Sequence, residues 1–79
     1  MEELKELLLP GWEISRSRKN IILVKYANGC KYVIIFLLLA KSYSAKFGSS
    51  AGASYELPYQ ISLDEHMMIH KIMKALGWF

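Results

Sequence analysis

Seventy-nine residues carrying 53% hydrophobic and 22% charged side chains, with five Gly and two Pro, make a chain that is too apolar and too poor in breakers to stay disordered. A chain of this length buries only about 60% of the surface its unfolded form exposes, which leaves room for one core and makes residues 1–79 a single domain. The formal charge of +3 admits an anionic partner without demanding one, and a lone Cys30 excludes the internal disulfides of small secreted scaffolds.

The first ten residues, MEELKELLLP, read as a short helix over Glu2–Leu9. Glu2, Glu3 and Glu6 lie at the favourable end of its dipole, Leu4, Leu7 and Leu8 share a face, and Pro10-Gly11 stops it. Acidic residues stand where a secretory leader would be basic, so the reading is a cytoplasmic chain in a reducing compartment. Trp12–Arg18 alternates as a strand, with Trp12, Ile14, Arg16 and Arg18 on one side. Asn20–Ala27 is a β-branched strand closed by Asn28-Gly29, a dipeptide suited to a type I′ hairpin because both central positions need positive φ.

The returning arm is read as Lys31–Ala40. Its run from Tyr32 to Ala40 is nine residues, whereas a membrane-crossing helix needs about 20. Val33, Ile35, Leu37 and Leu39 point one way and Tyr32, Ile34, Phe36, Leu38 and Ala40 the other, so both faces of this strand want cover. Alternation in Ser42–Phe47 marks a continuation or a bend of that strand, and Gly48–Ser54 a flexible Gly/Ser loop. Tyr55–Ile61 is extended, with Pro58 confining it to an edge. Ser62-Leu63-Asp64-Glu65 is a capping box that opens a helix with the stripe Met68, Ile69, Ile72, Met73 and Leu76, closed by Gly77. The fold class is α+β: a three- to four-stranded antiparallel sheet between an N-terminal and a C-terminal helix, in the order α-β-β-β-(β)-α.

Two short helices cover one sheet face. The other, carrying either Ile22, Val24 and Tyr26 or Ile21 and Leu23, would stay exposed in a monomer unless the segment Ser42–Tyr59 folds over it, and the leading expectation is a homodimer or higher oligomer joined through sheet faces or strand edges. Charge is distributed unevenly. Residues 1–13 sum to −3, residues 14–55 to +7 with no acid, and residues 56–79 to −1. The candidate nucleic-acid-binding residues are Arg16, Arg18, Lys19, Lys25, Lys31, Lys41 and Lys46 with the interleaved Tyr26, Tyr32 and Tyr43, since cations neutralise phosphates and aromatic rings stack bases.

No pattern for chemistry competes with this. His66 and His70 sit four apart on the last helix, but the segment HMMIH lacks the Glu of a zinc-protease helix and no third ligand accompanies it. Cys30 beside Lys31 has no base in its sequence neighbourhood, Ser49 and Ser50 lack a nucleophile elbow, and GSSAG lacks the Lys of a phosphate loop. The expectation is no enzyme, no metal and no cofactor.

The order of helix, Gly11-Trp12, basic strand, Asn28-Gly29 hairpin, apolar third strand and a closing helix ending Lys74-Ala75-Leu76-Gly77 resembles the HicA-type messenger-RNA-cleaving toxins, which share the double-stranded-RNA-binding α-β-β-β-α fold. That family places its catalytic His in the second strand; Asn20–Tyr26 holds none, so no catalytic residue carries over. Ile61–Glu65 also looks like the strand-to-helix junction of the Whirly-like single-stranded-DNA-binding coactivators, whose curved sheet dimerises. Both resemblances imply contact with nucleic acid. The leading expectation is a non-catalytic module binding RNA or single-stranded DNA. The alternative is a protein-interaction module, an inhibitor or assembly adaptor, using the apolar sheet face, and the third reading is a toxin-like ribonuclease.

Overall fold

The computed structural model describes residues 2–49 and 57–79. It is an α+β fold of a short helix α1 (Glu2–Lys5), strands β1 (Glu13–Arg16), β2 (Asn20–Ala27), β3 (Cys30–Leu37), β4 (Ser42–Ser49) and β5 (Leu57–Pro58), and a closing helix α2 (Leu63–Ala75). The strands form one antiparallel meander in chain order, four full strands and a two-residue fifth. Local chemistry explains most of the boundaries. Asn28 and Gly29 both take positive φ, 54° and 72°, and this turn sets the β2–β3 register from Ala27 opposite Cys30 to Asn20 opposite Leu37.

At the start of α2, the Ser62 hydroxyl accepts from the Glu65 amide at 3.2 Å and the Glu65 carboxylate accepts from the Ser62 amide at 2.9 Å, completing the capping box. Gly77, at φ 81°, takes the left-handed conformation beyond the helix C-terminus.

Several boundaries differ from the sequence reading. The first strand covers Glu13–Arg16 instead of Trp12–Arg18, because the bonds between Ser17 and Asn20 turn the chain there, and of the extended segment read as Tyr55–Ile61 only Leu57–Pro58 is paired among the described residues. The first helix ends at Lys5 instead of Leu9, because Leu7 and Leu8 donate to the carbonyls three residues back and tighten the chain into a turn. The third strand ends at Leu37 instead of Ala40. Residues 38–41 turn the chain, with Lys41 at φ 54°, and Ser42–Ser49 is a separate strand paired to β3 along its whole length. Gly48 and Ser49 therefore belong to β4 and not to the expected loop; the rest of that loop, residues 50–54, lies outside the described residues, as do Tyr55 and Glu56 of the expected extended segment.

Pairing assigns every strand residue to a face. Ile14, Ile21, Leu23, Ile34, Phe36, Tyr43 and Ala45 share the covered face. There Ile21, Leu23, Ile34 and Phe36 are buried with Leu4, Trp12, Met68, Ile69 and Ile72 in the core. The stripe Met68, Ile69 and Ile72 places α2 against this face, and Trp78 packs edge-on to Phe36 at 6.2 Å. The opposite face carries Glu13, Ser15, Ile22, Val24, Tyr26, Lys31, Val33, Ile35, Leu37, Ser44 and Lys46. None of its apolar side chains joins the core, and both helices contribute to the core on the other side of the sheet.

Candidate nucleic-acid interface

A meander sends β1 and β3 in one direction, so the β1–β2 and β3–β4 turns lie at the same end of the sheet. In the first, the Ser17 amide donates to the Asn20 carbonyl at 2.8 Å and the Asn20 amide to the Ser17 hydroxyl at 3.2 Å, pinching the chain so that Arg18 and Lys19 stand exposed at its tip. The second turn is tied to it directly: the Leu38 amide donates to the Lys19 carbonyl at 2.9 Å. Lys41 is exposed at the far side of this second turn, and Arg16 is exposed at the last residue of β1. Arg16, Arg18, Lys19 and Lys41 thus gather at one end of the sheet, and among the described residues no carboxylate engages any of them. Leu39, 87% exposed, lies in the same turn as Lys41 and adds an apolar tip.

The other candidates separate. Tyr26, 62% exposed, and Lys31 are register partners on the open face near the opposite end, and Lys46 lies on the same face along β4. Tyr43 packs on Phe36 on the covered face, with ring centroids 6.1 Å apart. Tyr32 joins Phe47 and Tyr59 in an aromatic cluster, with centroids at 5.8 and 4.9 Å.

Lys25 turns inward on the covered face. Its Nζ lies 3.4 Å from Glu65 Oε2 and 5.1–5.2 Å from the ring centroids of Trp12 and Tyr32, a contact favoured by the negative faces of the rings.

That contact belongs to a network which residue spacing did not reveal beyond its capping box. Glu65 is only 4% exposed. Its Oε1 accepts from the Tyr59 hydroxyl at 2.6 Å and from the Ser62 amide at 2.9 Å, while Oε2 faces Lys25. Burial by itself pushes the carboxyl pKa up, but the Tyr59 hydroxyl, the Ser62 amide and the Lys25 ammonium outweigh it and hold the pKa below the ordinary value. Tyr59 moves the opposite way: burial first, then its bond to the carboxylate and that group's charge, raise it well above its ordinary value.

The residues considered for chemistry are dispersed. His66 is exposed near the start of α2, and His70, also exposed, stacks on Phe79 at 4.6 Å. Cys30 is half-buried at the start of β3. Among the described residues no three metal-ligating side chains come together, and no helix is long and apolar enough to cross a membrane. Comparison with protein-family models, with curated proteins and with solved structures yields no match to this chain.

Proposed function

We propose that this protein binds RNA or single-stranded DNA without catalysis, gripping the phosphate backbone with the cationic end of its sheet. The observation that carries the reading is the bond from the Leu38 amide to the Lys19 carbonyl, which joins two turns bearing Arg18, Lys19 and Lys41 beside Arg16. Four exposed cations at the end of a strand and on short, hydrogen-bonded turns have their backbone positions set before a polyanion arrives, so little backbone ordering opposes binding. Arg and Lys contacts to phosphate carry no base information, so the preference expected is for charge and accessible backbone over sequence. Lys25, Tyr32 and Tyr43 play no part in this grip, since their contacts are internal.

The test is fluorescence anisotropy with a labelled single-stranded oligonucleotide, as RNA and as DNA, comparing the parent chain with Arg16→Glu/Arg18→Glu/Lys19→Glu and with Lys41→Glu. All four positions are exposed and outside the core, so the variants should keep the parent's circular dichroism and melting temperature. The triple variant should lose binding by at least about a hundredfold and Lys41→Glu by several-fold. Unchanged affinity in folded variants would overturn the proposal, as would the absence of binding to either oligonucleotide at low salt.

A further inference from the structure

The sheet face opposite the helices, uncovered among the described residues, is self-complementary, and we infer that two copies of this chain pack through it about a two-fold axis parallel to the strands. One register row of that face reads Glu13, Val24, Val33, Lys46 across β1 to β4, and the next reads Ser15, Ile22, Ile35, Ser44. Each row is apolar in the middle and polar at its ends, and the first carries opposite charges at its two ends.

An axis running between β2 and β3 places β1 of one copy over β4 of the other. Glu13 then meets Lys46 of the partner copy twice, Val24 meets Val33, Ile22 meets Ile35 and Ser15 meets Ser44. The same operation sets the exposed Tyr26 over the partner's Lys31, a cation-over-ring pairing. An axis across the strands does worse, because it sets Lys31 over Leu37 and leaves Glu13 and Lys46 facing serines.

The face spans strands of eight residues, giving about 450 Å² per copy from ordinary strand rise and spacing. The pair buries about 900 Å² in total, just short of the roughly 1,000 Å² that a stable specific interface clears, so a weak dimer with a dissociation constant on the order of micromolar is expected. Because a two-fold parallel to the strands does not reverse them, it brings both cationic ends to the same end of the dimer, on sheets about 10 Å apart.

Within one copy Glu13 and Lys46 stand at strands separated by two others, roughly 14 Å and more than a Debye length apart at physiological salt, so recovery in the double swap reports on the second copy, whatever else Lys46 contacts within its own chain. Sedimentation equilibrium of the nucleic-acid-free protein, up to about 0.3 mM, should show the parent as a dimer of the 9.1 kDa chain. Glu13→Lys and Lys46→Glu should each weaken the dimer by about tenfold, and the double swap should restore it to within about threefold of the parent. Val33→Asp, at the centre of the face, should leave a folded monomer. A parent that stays monomeric overturns the inference, as does a dimer on which the two single reversals have no effect or simply add in the double. The assay contains no nucleic acid, so its outcome is independent of the binding experiment.

Discussion

Glu65 is a buried charge that ties β2 and the segment before α2 to the first turn of that helix. A carboxylate taken from water costs several kcal/mol unless each oxygen is met by a donor, and here Tyr59, Ser62 and Lys25 meet them. Removing one partner leaves the rest desolvated and unsatisfied, so Glu65→Ala should cost about 3 kcal/mol, seen as a lowered midpoint in urea unfolding. The pH dependence follows from the two shifts. Glu65 is held below 4.5, so its share of stability is complete above that pH and is lost as pH falls through the native value. Tyr59 is held above 10.0, so its share is complete below that pH and is lost as alkali ionises the unfolded chain first. Glu65→Gln should flatten the acid limb and Tyr59→Phe the alkaline limb; unaltered limbs in stability-against-pH curves would show that these contacts are not formed. Sequence spacing revealed the bond between Ser62 and Glu65 because the two are local. Lys25 is forty residues away and was read as a surface cation, since nothing in a strand's alternation distinguishes a lysine beneath two rings from one in water.

At the scale of elements, the legible pieces were those with steric or hydrogen-bonding requirements of their own. Asn28-Gly29 prescribes a turn, Ser62 to Glu65 caps a helix, and Pro58 sits on a strand of two residues at the sheet's edge, as a residue without an amide donor must. The β3–β4 turn was illegible because Leu38-Leu39-Ala40-Lys41 contains no Gly, Pro, Asn or Asp, and its apolar character continues the strand before it. Lys41 nevertheless occupies the left-handed region at φ 54°, which costs an L-residue about 1 kcal/mol relative to glycine. Lys41→Gly should therefore raise stability by up to about 1 kcal/mol in urea unfolding while weakening oligonucleotide binding several-fold. A variant that binds like the parent would remove Lys41 from the interface, and one that unfolds earlier would contradict the turn geometry.

At the scale of the molecule, the described residues form a sheet with one face in the core and one outside it. The two-sided apolar pattern read over Tyr32 to Ala40 holds within β3 as far as Leu37, and register decided that Ile21 and Leu23 go inward while Ile22, Val24 and Tyr26 go outward. The candidate site was legible only in part. Charge bias picked out the cationic segment, but a meander distributes alternate residues to opposite faces, so ten candidates resolve into a cationic end, an open-face group and three residues engaged internally. Arg16, Arg18, Lys19 and Lys41 are brought together by a backbone bond between turns nineteen residues apart, which no local pattern encodes. The central claim, that this end grips phosphates, is tested most directly by the salt dependence of oligonucleotide binding. Four phosphate contacts on a single strand predict a slope of log affinity on log salt of about −3 for each copy engaged, falling toward zero when the four cations are reversed to Glu. A slope near zero in the parent chain, or one that the reversals leave unchanged, would contradict it.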